Sequence, residues 1–534
     1  MRRKAEFLMV YPEIPDTYWS FRYALGMVGK PALMPPLGLS TVASMVPPEY
    51  ECRIVDMNVE PLRDTDIAEA DLVLISAMIV QKESMETVIE RCRALGVPVA
   101  AGGPYATSCS KEIKGVDHFI LGEGEISFAE FLKDYASGNP KAVYRSDGKP
   151  DLSCTPLPRF DLLDLQKYHM IPIQFSRGCP FDCEFCDIVR LFGHKVRTKP
   201  PQRFIAELDA AYRAGFRGAV FVVDDNFIGN HKRTKELLRH LIAWQRRYDH
   251  PFSFSTEASI DLAYDRELLD LMVEAGFTMA FVGLESPVDE SLEAAGKQQN
   301  RRRDMIESVR TIQHSGVEVT GGFIIGFDSD PPDVFERQIE FIEELAVPTA
   351  MVGLLTALPN TRLYERLIRE GRLYAGSNGN NFSTGAMNFR PLLPEEDIAR
   401  GYRRVLETIY SPRRYFNRCL RLLDQLPRSV RREDRSRRPR IKRRDAATAL
   451  RSLVRQTCSR YGHYYLAFIA RALLRRPDQI VRIFTSAIQG HHYMTVTRRS
   501  FREASPRRTQ RASRHEGVKR ETRYRETAIA ATMD

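Results

Sequence analysis

The chain has 534 residues, 43% of them hydrophobic and 28% charged, which is more than one hydrophobic core accommodates and sets two or more domains as the expectation. Its net charge of +10 is unevenly placed: from Arg413 onward there are 32 Lys+Arg against 10 Asp+Glu, and before it 47 against 59. No run approaches the roughly 18 apolar residues of a membrane-spanning helix, and nine cysteines without a paired framework point to a reducing cytoplasm, not a disulfide-built domain.

The opening MRRKAEFLMVYPEIPDTYW carries a short apolar run that ends in Pro12 with no small-residue cleavage site behind it, and it reads as a first β-strand rather than a signal peptide. Nearly continuous apolar runs follow at 52–58, 70–78, 97–103 and 118–124, with helical spacing between them at 35–46 and 83–96. Such runs suit strands covered on both faces of a parallel sheet. Residues 1–145 are therefore expected to form a doubly wound, Rossmann-like α/β domain whose ligands sit beyond the carboxyl ends of its strands. Gly102, Gly103, Gly122 and Gly124 fall at those ends, where backbone without side chains can approach a bulky ligand.

A Pro-containing, strand-poor stretch at 146–170 reads as a linker. The alternation then resumes with strands expected at 172–178, 218–225, 252–258, 278–285, 317–327 and 349–356, each followed by a helical pattern. Six βα units over 171–375 predict a (βα)6 partial TIM barrel, with its chemistry at the carboxyl ends of the strands. Residues 376–495 read as a helical extension, clearest at 395–410 and 464–494 and interrupted by an arginine-dense run at 426–450. The polar, Arg-rich residues 496–534 are expected to be disordered.

The segment SRGCPFDCEFCDIV places Cys179, Cys183 and Cys186 close together, with no second CxxC anywhere. A structural zinc site closes with four ligands, and His194 is the one nearby candidate for a fourth. A four-iron cluster on three thiolates instead leaves one iron open to bind and reduce a substrate.

CPFDCEFC resembles the CxxxCxxC signature of the radical S-adenosylmethionine (SAM) superfamily, with Phe185 as the aromatic residue before the last cysteine. The resemblance runs through the six βα units, and it implies a 4Fe-4S cluster on Cys179, Cys183 and Cys186 whose open iron chelates SAM. It further implies SAM contacts from Phe185, from Asp224, Asp225 and Asn226 toward the amino group, from Glu257 and Glu285 toward the ribose, and from Gly322 and Gly326 along the adenine. A solvated strand end or a salt bridge is the plain alternative for each acid.

The N-terminal domain lacks a GxGxxG fingerprint after its first strand, which weakens a dinucleotide reading. MPPLGLSTVA (34–43), VDMN (55–58), AGGP (101–104) and LGEGE (121–125) instead resemble the cobalamin-binding domain of B12-dependent radical SAM enzymes. That likeness implies corrinoid contacts from Ser76, Gly102, Gly103, Gly122, Glu123 and Gly124. The DxHxxG motif that supplies an axial histidine is missing, and His118 is the only histidine in the first 150 residues.

Together the two resemblances imply radical methylation of an unactivated carbon from methylcobalamin, with electrons from a flavodoxin- or ferredoxin-type donor. A cyclase or rearrangement enzyme on the same cofactors is the alternative, and a cobalamin or redox sensor with a nucleic-acid-binding tail a third.

The chain as a whole resembles the bacterial group that contains the hopanoid C-2 methylases, locally in CEFCDIVRLFG (183–193), VDDNFIGN (223–230) and AIQGHHY (487–493). That implies a lipid-like substrate, and a basic helical region with apolar stripes suits the surface of an anionic membrane. The plain alternative packs 464–490 on the barrel with its arginines solvated. Nucleic acid ranks lower, because aromatics are sparse in the arginine runs. His491 and His492 read as an exposed helix-end pair, with entry into the active site as the alternative.

Overall fold

The computed structural model describes residues 4–146, 148–374, 377, 379–380, 387–428 and 443–503. The N-terminal apolar runs form one parallel sheet of β1 (Glu6–Tyr11), β2 (Glu51–Asp56), β3 (Leu72–Ser76), β4 (Val99–Gly102), β5 (His118–Leu121) and β6 (Val143–Arg145). The order is β2-β1-β3-β4-β5-β6, so the winding reverses between β1 and β3. Successive side chains of a strand point to opposite faces. Leu8, Val10, Val73 and Ile75 accordingly join one core with the helices Lys82–Ala94 and Gly103–Cys109. Phe7, Met9, Leu72 and Leu74 join another with Leu37–Ala43 and Gly124–Ala136.

The second sheet holds β7 (Met170–Ile173), β10 (Gly218–Val222), β11 (Phe252–Ala258), β12 (Phe277–Glu285), β13 (Glu318–Ile325) and β14 (Ala350–Leu354), all parallel and in chain order. It stays open between β7 and β14, as a partial barrel does. The first barrel strand differs from the expected 172–178. It ends at Ile173, and β8 (Ser176–Arg177) leaves to pair antiparallel with β9 (Arg197–Thr198). The cause is Asp224, whose carboxylate accepts from the backbone N–H groups of Phe175 and Ser176, each at 2.7 Å, and pulls the chain out of the sheet.

The helical extension comprises Glu395–Ile409, Pro412–Gln425, Arg443–Thr457, Gly462–Arg475 and Ile480–Glu503. Pro477 divides the block expected at 464–494 in two, and the last helix runs past the expected end at 495. Residues 429–442 of the arginine run and 504–534 of the tail lie outside the described residues. The extension seals the free edge of β14: Tyr402 and Tyr410 donate their hydroxyls to the carbonyls of Val352 (3.0 Å) and Ala350 (2.6 Å). Edge-strand carbonyls that would otherwise be buried unpaired are satisfied this way.

The open side of the barrel is filled from both ends of the chain. Tyr18 is bonded to Thr497 (2.6 Å between hydroxyls) and stacks on Tyr410 and Tyr493. Trp19 reaches inward to stand edge-on to Phe281 of β12, ring centroids 5.0 Å apart. His491 and His492 lie inside the last helix, not at an exposed helix end. His492 is fully buried with Nε2 3.0 Å from the Tyr18 carbonyl, and His491 Nδ1 is 2.5 Å from the Tyr461 hydroxyl. Burial, joined for His491 by neighbouring Arg455, lowers both to about 4, so both rings are neutral packing elements.

Candidate active site

The cysteines stand on one loop that opens at β8 and returns at β9. Gly178 makes the turn at φ +95°, where an added Cβ would lie 2.7 Å from the Lys195 carbonyl oxygen and 2.8 Å from that of Gly193. The Cys179 N–H donates to the Gly193 carbonyl (3.3 Å) and the Cys186 N–H to that of Cys183 (3.2 Å). On its outer side the loop is held by Glu184, which pairs with Arg366 at 2.7 Å.

Burial pushes all three thiols up, so their thiolate forms need a compensating positive charge. Lys297 supplies part of it beside Cys183. Its ammonium lies 2.6 Å from Oε1 of Glu285, and against the pull of burial that carboxylate holds Lys297 above its usual range. Three thiols on one shielded loop, with a cation beside one of them, fit an iron-sulfur cluster held by three protein ligands. Among the described residues no three His, Cys, Asp or Glu side chains are gathered to hold a single ion, and His194 is exposed.

The strand-end acids have different fates. Asp224 spends both oxygens on Phe175 and on Ser176, whose hydroxyl donates at 2.6 Å, so it fixes the start of the cysteine loop instead of facing a ligand. Asn226 is bonded to Ser259. Asp225 and Glu257 line the main cavity. Burial, and then neighbouring carboxylates, raise Asp225 to about 7 and Glu257 to about 8.

Glu285 adopts φ +62°, and its side chain folds back over Gly283, where a Cβ would meet Oε1 at 2.4 Å and the Lys297 ammonium at 2.8 Å. Gly322 leaves room for the Phe281 ring, and Gly326, at φ +106°, for Met387. Phe185 packs near Phe327 (6.1 Å between centroids) at a separate pocket of about 410 Å³.

Ser76, Gly102, Gly103, Gly122, Glu123 and Gly124 line the same cavity as Asp225 and Glu257. Its volume is about 1620 Å³, beyond the roughly 300–1,000 Å³ of a one-ligand pocket. It starts at the reversal point of the first sheet, the place where doubly wound folds bind ligands. Gly103 (φ +82°) passes so close to Ser76 that a Cβ would lie 2.4 Å from the hydroxyl oxygen. A wide, glycine-lined cradle of this kind fits a flat macrocycle such as a corrin. His118 faces elsewhere, its Nδ1 2.7 Å from the Lys141 carbonyl.

Glu123 does more than line the cavity. Its Oε2 accepts from Arg177 (2.7 Å) and its Oε1 from Arg197 (2.6 Å), while Arg177 also reaches Glu125 at 2.8 Å. The carboxyl end of β5 is thereby clamped to both strands that carry the cysteine loop. Sequence reasoning missed these arginines and Lys297. The placement of Arg177 and Arg197 on either side of the cysteines was the available signal. It also missed Trp19 and Phe21, which line the cavity far from any motif.

A cobalamin-type doubly wound domain clamped to a partial barrel with a three-cysteine loop defines a radical SAM enzyme that works with a corrinoid. Family profiles agree: a B12 binding domain matches residues 30–132, the radical SAM superfamily 173–372, and a domain of unknown function, DUF4070, 361–505. The chain is 34% identical to the hopanoid C-2 methylase of Rhodopseudomonas palustris, covering 93% of this chain and 94% of that one. It is 46% identical to an uncharacterized methyltransferase of Synechocystis, over 78% of each. Among solved structures, the radical SAM methyltransferase TsrM of Kitasatospora setae covers 92% of this chain and 100% of its own (TM-score 0.57, 14% identity). The cobalamin-dependent radical enzyme OxsB covers 96% and 81% (TM-score 0.59, 14% identity), and at these identities both show the fold.

The chain belongs to the cobalamin-dependent radical SAM methyltransferases, in the bacterial group that contains the hopanoid C-2 methylases. It is an enzyme whose cofactors are SAM, a 4Fe-4S cluster and cobalamin.

Proposed function

We propose that the enzyme transfers a methyl group to an unactivated carbon of an apolar, polycyclic lipid of the hopanoid class. The observation that carries this reading is the single cavity that joins the Ser76–Gly103 cradle, the Asp225–Glu257 pair and an apolar chamber walled by Trp19, Phe21, Phe281, Met351, Leu453 and Phe484. The relative named for a hopanoid supports the substrate class.

When bound, the cluster supplies the electron that cleaves SAM and the corrinoid supplies the methyl group. Cys179, Cys183 and Cys186 would hold the cluster, and Ser76, Gly102, Gly103, Gly122 and Gly124 the corrin. Lys297, held by Glu285, offers a buried cation beside the cluster to the carboxylate of SAM. Asp225 and Glu257 offer acceptors to its amino and ribose groups. Asp224, Asn226, Gly322 and Gly326 shape the strand ends, Phe185 backs the loop, and Glu123 keeps the two halves in register. The aromatic wall orients the substrate and keeps water from the reacting carbon. An electron donor of the flavodoxin or ferredoxin type would serve the cysteine loop.

The test is anaerobic reconstitution with iron, sulfide, methylcobalamin, SAM and a reductant, with a hopanoid as substrate and mass spectrometry of the extracted lipid. A product heavier by one CH₂ is expected. A product with no added carbon would instead establish cyclisation or rearrangement.

A further inference from the structure

The last helices turn an unusual surface outward. Between Asp445 and Asp478 the sequence has no acidic residue, yet it carries Arg451, Arg455, Arg460, Arg471 and Arg475, all exposed. On Arg443–Thr457, Leu450 and Val454 are exposed at 63% and 62%. On Gly462–Arg475, which packs against that helix, Leu466 and Leu474 are exposed at 45% and 85%. The spacings 447, 450, 454 and 466, 470, 474 place the apolar residues as one stripe along each helix. Large side chains are left in water there, with arginines on either side.

This surface stands at the substrate chamber. Ala446 and Leu450 of the first helix, and Val481 and Thr485 of the last, line the cavity and are also exposed, which marks a mouth between Arg443–Thr457 and Ile480–Glu503. An entrance rimmed by leucine and arginine suits a substrate that leaves an apolar phase without crossing water.

We propose that this face docks on an anionic lipid bilayer and that the mouth between the two helices receives the substrate directly from it; the second half rests on the lipid-substrate reading above. Charge complementarity selects the occupant. Arg451, Arg455, Arg460 and Arg471 match anionic headgroups, Arg475 being paired with Asp424 at 3.4 Å, and the leucine stripes match the headgroup–acyl boundary, where a nucleic acid would leave them in water. The chain's own segments 429–442 and 504–534 are themselves rich in arginine, so they do not complement the face. Among the described residues no helix is long and apolar enough to cross a membrane, so the contact is with the surface of the bilayer.

The test is co-sedimentation of the full-length holoenzyme with vesicles of phosphatidylcholine alone or mixed with phosphatidylglycerol, at rising salt. Three proteins are compared: wild type, Arg455→Gln with Arg471→Gln, and Leu474→Asp. These side chains lie outside the cavity wall, so 5'-deoxyadenosine formation should be equal in all three, which also verifies folding.

Wild type should sediment with the anionic vesicles and be released by salt. At about 1 kcal/mol per arginine, the double variant should partition about 30-fold more weakly. Leu474→Asp should bind more weakly still at high salt. Equal binding of all three proteins would assign any vesicle affinity to the basic tail and overturn the proposal. So would equal binding to neutral vesicles, or tighter binding to duplex DNA that is insensitive to Leu474→Asp. Variant-sensitive vesicle binding without methylation of any bilayer lipid would leave the docking face standing and refute the lipid substrate.

Discussion

Arg177 donates to Glu123 at 2.7 Å across the boundary between the two sheets, and the pair is almost fully shielded from water. Glu123 lies just beyond a strand of the corrinoid side and Arg177 begins the loop of the cluster side, so the distance between the two half-sites depends on this contact. Arg197 occupies the other carboxylate oxygen. Removing Glu123 leaves Arg177 on Glu125 alone and strips the shielded Arg197 of its carboxylate, which costs about 3 kcal/mol. Glu123→Ala should therefore lower the unfolding free energy by that amount in urea titrations, and the purified variant should retain less corrinoid. An unchanged urea midpoint would show that the clamp has no energetic role.

Gly283 allows the Glu285–Lys297 pair to exist. Alanine there would place a Cβ within 2.4 Å of one partner and 2.8 Å of the other, so Gly283→Ala must displace both. Lys297→Met removes the cation and strands a buried carboxylate. Both variants should bind SAM at least about tenfold more weakly, a difference of about 1.4 kcal/mol, while their iron and sulfide content stays near that of wild type. Parallel loss of iron and SAM binding would make the pair a support of the loop and nothing more. By contrast, Cys183→Ala should lose the cluster itself, seen as loss of iron and of 5'-deoxyadenosine formation together.

The order of the domains was legible because strands buried on both faces leave continuous apolar runs, and the cluster because its ligands lie within one loop. What escaped the sequence depended on partners far away in it. Val143–Arg145 is three residues long and buried only at Tyr144, so it left no apolar run. The first barrel strand breaks because Asp224, from the next βα unit, captures its backbone. Asp224 and Asp225 are neighbours in sequence, yet one holds backbone and the other lines the cavity. His491 and His492 look solvent-exposed in a polar stretch until Tyr461 and the Tyr18 carbonyl arrive from elsewhere. The glycines could be read as close approaches, but which group each one approaches could not.

Asp225 and Glu257 give the cofactor-free protein an alkaline weakness. Their native values of about 7 and about 8 lie above the ordinary carboxylate value of about 4. Between those limits the native state holds protons that the unfolded state has released, so stability falls as pH rises through the window and stays low above it. Each group accounts for on the order of 4 kcal/mol, and the two are coupled, so the effects do not add. Asp225→Asn and Glu257→Gln should each stabilise the cofactor-free enzyme above pH 8 and change little near about pH 5, measured by thermal unfolding across pH. Both should also weaken SAM binding. Stabilisation that is the same at both pH values would mean the gain is unrelated to ionisation.

Trp19 separates cleavage of SAM from use of the substrate. It lines the cavity with its ring 5.0 Å from that of Phe281 inside the barrel. It is 40% exposed, so its loss should cost stability less than a buried aromatic would, about 1–2 kcal/mol. In Trp19→Ala the chamber widens and the substrate loses the wall that holds its carbon in place. A misplacement of about 1 Å is worth about 100-fold in rate. Methylated product should therefore fall by one to two orders of magnitude while 5'-deoxyadenosine continues to form, so that the ratio of the two measures the uncoupling. Trp19→Phe keeps an aromatic edge toward Phe281 and should restore most of the coupling. If both variants lose 5'-deoxyadenosine and product in equal proportion, Trp19 supports the fold of the barrel and does not orient the substrate.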